Sequence, residues 1–418
     1  MIQLPTRTEN PTPLPREVHR ATEIVIIEGP ASMAEAAAVR AVSLPCSVMA
    51  ETMGDRMRGC LFGGAVGEAL GRPVEGMSLE AIREAYGPGG VTGYTGRPEI
   101  GEATQLCLLT AQAGLQASIR ARSRGIGGAY FGLVQSNYLS WMRVQGERFP
   151  AGDLHATGPA LHAPAVMARR GVSRTTRAAL LAAGERGKPG WPLGTVDEPV
   201  NDSKGCAGTV RAAPAGFGHP DPEAVFARGQ GTAALTHGHP SGRLPAGALA
   251  VAVSALVHGA ALADAVRQAM AELRKHPGHE ETAAALDRAV ELAGSGRPSP
   301  ERVESLGRGF TGPEALAIAV HAALAAEAGG GYPLEIVPRG LLLAVNHSGD
   351  SDSTGALCGH LLGARYGARA VPEHWRDTVE AGAAIIELAH GSEVEFGPNP
   401  PGDAYGEPPL EWHMRFYA

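Results

Sequence analysis

The chain has 418 residues, 44% of them hydrophobic and only 5% aromatic, with a formal net charge of −7. That apolar share is enough for a real core and excludes disorder throughout, while the acidic balance gives no basic footprint for a polyanion, so nucleic acid is not an expected partner. Five scattered cysteines (Cys46, Cys60, Cys107, Cys206, Cys358) without a C-x-x-C pair predict free thiols. No run of eighteen consecutive apolar residues occurs, so no membrane contact is expected and the expected location is cytoplasmic.

Residues 1–20, rich in Pro, Thr and charge, read as a flexible arm, and ATEIVIIEG (21–29) fits one strand or a docking segment; together 1–53 read as an N-terminal extension. From Met57 the apolar residues Leu61, Ala65, Val66, Ala69 and Leu70 recur at helical spacing, and Pro73 should stop this helix, leaving Glu75 just past its end. Further helices are predicted over 103–122, 127–146, 175–185, 222–236, 245–258, 260–274, 280–293, 313–327, 338–346, 353–366 and 375–390, with Gly, Pro or Asp/Ser turn signals between them. Helical composition continues on both sides of GRPSPERVESLGRG (296–309), so 54–390 reads as one domain and 391–418 as a Pro- and Gly-rich tail. Strand alternation is nearly absent. The expected fold class is all-α, an orthogonal multi-helix bundle whose loops carry the polar residues.

The strongest local signal is LLLAVNHSGDSDSTGALCGHLLG (341–363), where an apolar helix ends at a Gly turn, two Asp alternate with Ser, and a small-residue helix follows. Asp350, Asp352 and the Ser353 hydroxyl could coordinate a hard cation such as Mg2+ or Mn2+. The same D-x-D-S pattern also reads as an ordinary N-cap whose carboxylates offset the helix dipole. Glu68 and Glu75 flank the end of the first helix and Glu102 opens another; acidic helix ends that converge need a cation, or repulsion raises their pKa values or parts them. GPGGVTGYTG (87–96) lacks the strand–loop–helix setting of a dinucleotide fingerprint. HPGHEET (276–282) is not H-E-x-x-H, and His237 and His239, two apart, cannot share a helix face.

Five motifs in order, DRMRGCLFGGAVGEALGRPVE, GEATQLCLLTAQAGL, VNDSKGCAGTVRAAPAGF, AALTHGHPSG and LLLAVNHSGDSDSTGALCGHLLGARYG, resemble the ADP-ribosylglycohydrolase family over about residues 55–390. The resemblance implies an all-α fold of that type and a binuclear Mg2+ or Mn2+ centre in a cleft that binds the distal ribose of an ADP-ribosyl group, for N- or O-glycosidic hydrolysis. Asp350, Asp352 and Ser353 match metal-ligand positions, and Glu75 matches the mobile glutamate beside them. Ser203, Lys204 and Gly205 match nucleotide-contacting positions, where small residues let backbone N–H groups approach phosphate. His237 resembles a substrate-facing histidine. Read without the resemblance, NDSKGCAG is an Asx/Gly turn and His237 a helix-terminal residue satisfying carbonyls.

The chain also departs from that family. Most relatives carry a hydroxyl residue and two aspartates where this chain has Gly101, Glu102 and Ala103; Glu68 replaces an Asp, GVSRTTRAAL (171–180) lacks a Gly-Asn pair, and His360 replaces an Asn. One ion is therefore expected rather than two, held by Asp350, Asp352, Ser353 and Glu75 with Glu102 reaching in, and Glu75, Glu102 and Asp350 are the expected catalytic carboxylates. The expected function is metal-dependent hydrolysis of an ADP-ribosylated protein or of an ADP-ribose- or NAD-derived small molecule. The alternative is a non-catalytic nucleotide-binding or structural protein of the same fold.

Overall fold

The computed structural model describes residues 51–150, 157–186, 191–403 and 406–417. The arm and the strand or docking segment expected before residue 30 lie outside them. Among the described residues the chain forms 18 α-helices and three short 3₁₀ turns, with no strand beyond an isolated bridge between Gly205 and Thr311. The all-α expectation therefore stands, and Ala50–Ala418 is one compact unit.

The helices Met53–Gly71 and Ser351–Tyr366 form the central pair. Gly59, Gly63 and Gly67 stand four residues apart and so share one helix face, as do Gly355, Gly359 and Gly363 on the other. A Cβ on Gly59 would overlap the carbonyl of Gly363, one on Gly63 that of Gly359, and one on Gly67 that of Gly355. The pairing descends on one helix as it climbs on the other, so the two run antiparallel with their backbones in near contact. Each interior glycine weakens its helix by about 0.5–1 kcal/mol, which the close approach must offset. The result sets the site: the end of the first helix, with Glu68, Arg72 and Glu75, lies beside the start of the other, with Asp350 and Asp352.

Helix limits depart from the sequence expectation where distant contacts intervene. The pattern read over 375–390 divides into Glu373–Arg376 and Gly382–Phe396. Between them Glu380 donates its backbone N–H to the Pro98 carbonyl (3.2 Å) and pairs its carboxylate with Arg170 (2.7 Å). Two helices begin five residues early, Pro240–Val257 and Pro333–Val345, because Pro at the first turn follows an N-cap: His239 accepts from Ser241 N, and Glu335 accepts from Tyr332 N. The helix Pro240–Val257 is long and apolar enough to cross a membrane by length and composition, yet 83% of it is buried inside the fold, as a core helix would be. The segment read as a tail first completes the helix to Phe396 and then adds Leu410–Tyr417, which packs Phe416 against Gly391 and accepts a hydrogen bond from Gln116 at the Phe416 carbonyl (2.8 Å). Cys60, Cys107, Cys206 and Cys358 are free, as expected of them, and the structure shows all four buried; Cys46 lies outside the described residues.

Candidate active site

A cleft of about 420 Å³ opens between the central pair and the loops around it, within the size range of small-molecule sites. Its floor is the turn before the helix Ser351–Tyr366. Gly349 has φ +129°, where a side chain would be strained, and a Cβ there would overlap the Arg308 carbonyl. Asp350 N donates to that carbonyl (2.8 Å), and Gly76 N donates to Gly349 O (2.7 Å), pinning the turn against the end of the first helix. Asp350 is then the N-cap, accepting from Ser353 N (3.3 Å), while Asp352 accepts from the same amide (2.7 Å). The sequence reading of D-x-D-S as a cap is therefore realised, and it coexists with the second property.

That property is crowding. Glu75, Asp350 and Asp352 each offer a carboxylate oxygen within 4.8 Å of the others. Burial, and then the Asp350 charge, push the Asp352 carboxyl well above the ordinary carboxylate range. Glu75 is raised for the same two reasons, with Arg72 opposing. The Cys206 thiol donates to Asp350 Oδ2 (2.8 Å), and burial and that carboxylate hold it protonated. Ser353, also on the floor, has its hydroxyl 3.7 Å from Cys206 Sγ.

The opposite wall is organised differently. The helix Glu102–Arg124 has Gly101 as its N-cap, with no side chain to serve it. Glu68 takes that role from across the cleft: Oε1 accepts from Ala103 N (3.2 Å) and Oε2 from Thr104 N (3.1 Å). Only 1% exposed, its carboxyl is raised by burial, with hydrogen bonds from this helix start opposing. A Cβ on Gly101 would stand 2.7 Å from Glu68 Oε1, so the missing side chain and the buried glutamate fit one another. Glu102 lines the cleft, but its oxygens accept from the amide (2.5 Å) and hydroxyl (3.0 Å) of Ser173, and it is not one of the three clustered carboxylates. The wall is braced by Arg72 and Arg170, both donating to the Ile100 carbonyl.

The third wall comes from residues 201–206 and the loop after the helix Pro222–Ala234. Asn201 ties them, accepting from Ser203 N (3.0 Å) and Gly238 N (3.1 Å) and donating to Thr236 O (2.7 Å). Gly205 and His237 line the cleft. Ser203 does not; its hydroxyl accepts from Gly205 N (3.3 Å) and lies 3.3 Å from Thr175 Oγ1. Lys204 points away, its ammonium paired with Glu281 at 2.8 Å. His360 is not in the cleft at all: it sits in the core, Nδ1 donating to the Cys60 carbonyl (2.9 Å), and burial lowers its pKa to about 4.

Several lining residues were not singled out by sequence reasoning: Cys206, Arg72, Arg170, Arg174 and Phe310. Cys206 lies inside a quoted motif and Arg72 stands at the first helix's expected end, immediately before Pro73, so both carried a positional signal. Arg174 lies inside GVSRTTRAAL, quoted only for a departure from the family, and it has no acidic partner among the described residues.

A family model described as ADP-ribosylglycohydrolase matches residues 49–400. An uncharacterized protein of Archaeoglobus fulgidus is 27% identical over 348 residues, which is 81% of this chain and 95% of that protein. A solved structure titled "ADP-ribosylglycohydrolase-related protein complex" is similar with a TM-score of 0.52 and 24% identity, covering 81% of this chain and 97% of its own, and this likeness bears on the fold alone.

Proposed function

The chain belongs to the ADP-ribosylglycohydrolase family, and from that premise we propose that it is a cation-dependent hydrolase of an ADP-ribosyl glycosidic bond, working with one divalent ion in place of two. The observation that carries this reading is the cluster of Glu75, Asp350 and Asp352, whose ligand oxygens lie within 4.8 Å of one another. Three carboxylates with a hydroxyl nearby are the donor set of a hard cation, and two of the three are displaced upward in pKa by burial and then by a repulsion that such a cation relieves. Mg2+ or Mn2+ fits them. Opposite, Gly101 and Ala103 offer no side-chain oxygen, and Glu68 and Glu102 are bonded to amides, so the donors for a second ion are missing.

The bound ion would supply positive charge that orients ribose hydroxyls and makes water more acidic. The protein's own groups do the rest. Asp350 and Asp352 are fixed by the helix start they cap and hold the floor of the site in place. Glu75, exposed at the cleft beside the other two carboxylates, is placed to take a proton from water and return it. Water oxygen bonds to the anomeric carbon, the C–N or C–O bond to the leaving group breaks with its electron pair going to the leaving atom, and the proton held by Glu75 ends on that atom. Glu102 anchors Ser173 at the rim. Arg174, lacking an acidic partner among the described residues, suits the pyrophosphate of the substrate.

The substrate class follows as an ADP-ribosylated protein or an ADP-ribose- or NAD-derived small molecule. The second reading, a nucleotide-binding protein without catalysis, is favoured by one observation only, the side-chain oxygens absent at Gly101 and Ala103. Release of ADP-ribose or ribose from ADP-ribosyl-arginine, ADP-ribosyl-serine and NAD-derived substrates with added Mg2+ or Mn2+ separates the two. Release that disappears in Asp352→Ala supports the hydrolase. ADP-ribose binding without turnover of any substrate supports the second reading.

A further inference from the structure

Arg211 is fully buried, yet among the described residues no carboxylate pairs with it. Its Nη2 donates to the Thr232 carbonyl (3.2 Å) and to the Thr236 hydroxyl (2.5 Å), and the Tyr138 ring lies 4.8 Å from the guanidinium carbon. Nε and Nη1 have no hydrogen-bond partner among the described residues. Each buried unpaired donor costs about 1–3 kcal/mol, and so calls for an explanation.

The explanation lies one bond further on. Thr236 Oγ1 is 2.7 Å from His237 Nδ1, and these two contacts are the hydroxyl's hydrogen bonds among the described residues. Arg can only donate, so the hydroxyl accepts from Arg211. The hydroxyl's own proton then has one acceptor within reach, His237 Nδ1. Were Nδ1 protonated instead, the hydroxyl would accept twice and its hydrogen would be left unpaired at a site with 0% exposure. The proton of the imidazole is therefore on Nε2. That nitrogen makes no hydrogen bond to a described residue, and the ring lines the cleft. Gly205 and Gly208 admit the ring: a Cβ on Gly205 would be 3.1 Å from Nε2 and one on Gly208 3.2 Å from Nδ1.

We propose that Arg211 and Thr236 are positioning residues that hold His237 in the Nε2–H tautomer, so that a 1% exposed imidazole presents a fixed hydrogen-bond donor to an acceptor oxygen of the nucleotide in the cleft. Burial, and secondarily the Arg211 charge, lower the His237 pKa to about 3. The ring therefore stays neutral while it donates, and with Nδ1 already occupied it is not a proton acceptor for the reaction. The ligand part rests on the nucleotide reading above; the tautomer does not.

Long-range ¹H–¹⁵N correlation on the histidine-labelled full chain reads the tautomer directly, with His237→Gln identifying the signal. The expected spectrum has a protonated Nε2 and an unprotonated Nδ1, lost or mixed in Thr236→Val and restored in Thr236→Ser. A protonated Nδ1 in the unaltered protein overturns the proposal, as does an unchanged signal in Thr236→Val. Calorimetric titration with ADP-ribose should then show about tenfold weaker binding in Thr236→Val, equivalent to about 1.4 kcal/mol, and near-normal binding in Thr236→Ser. Equal affinity in all three overturns the donor role. Failure of ADP-ribose to bind the unaltered protein overturns the nucleotide reading, while the spectrum still decides the tautomer.

Discussion

Around Asp350 the carboxylates of three residues face one another, and burial and mutual repulsion hold two of them above the ordinary range. Around Gly101, across the same cleft, the carboxylates are already bonded: Glu68 to two helix-start amides and Glu102 to Ser173. Both walls are acidic in sequence, so composition alone does not separate them. What differs is crowding: Asp350 and Asp352 share the single Ser353 amide and face Glu75, whereas Glu68 and Glu102 each take up N–H groups apart from one another. A carboxylate engaged by backbone amides supports a helix; one crowded by its own kind needs a counter-charge from outside the chain.

The largest expected effect lies on the crowded wall. Asp350→Asn keeps a good N-cap residue, so stability should change by less than about 1 kcal/mol. Loss of its charge should remove cation binding and lower hydrolysis beyond the about 100-fold typical of groups that merely support a ligand, measured by metal titration and turnover. An Asn variant that still binds the ion would erase the distinction between the walls.

On the bonded wall the effects fall on folding. Glu68→Ala should destabilise by about 3 kcal/mol, because it leaves two helix-start amides without their acceptor and a hole in the core, with cation stoichiometry unchanged. Gly101→Ala should cost about 1–3 kcal/mol through overlap with Glu68, and much less in a Glu68→Asp background, whose shorter side chain leaves room. A double-mutant cycle by chemical denaturation reads that coupling, and additive costs would break it.

Next is the pH dependence. Glu75 and Asp352 have raised folded-state pKa values, so between about pH 4, where such groups ionise in the unfolded chain, and their folded values the folded state holds more protons. Without cation these two groups should therefore make stability fall as pH rises through that window. Saturating Mn2+ should flatten the decline, so the gain in Tm on adding Mn2+ grows with pH. A gain independent of pH would argue that the ion binds elsewhere.

The smallest effect is expected for Glu102→Ala. Its link to Ser173 is at the surface and should contribute under about 1 kcal/mol, with cation affinity unaltered.

The crowded wall was readable because its core lies within four consecutive residues, Asp350 to Ser353, and a cap pattern keeps such residues together. Glu75 was readable as the residue past a Pro-terminated helix. The partners that disarm the other wall are not local, since Glu102 meets Ser173 across 71 residues, and on the third wall Lys204 leaves the cleft for Glu281 across 77. No periodicity encodes such pairings. The break at 377–381 has the same origin, since Glu380 is drawn to Arg170 across 210 residues. The glycine spacing at Gly59, Gly63 and Gly67 was in plain view, but it acquires meaning only beside Gly355, Gly359 and Gly363, which supply the opposing backbone.

Counting bound ions bears most directly on the difference between the walls. Mn2+ titration of the full chain, followed by calorimetry, should give one ion per chain in the unaltered protein, one in Glu102→Ala, and none in Asp350→Asn. Two ions in the unaltered protein, or loss of the single ion in Glu102→Ala, would contradict the account.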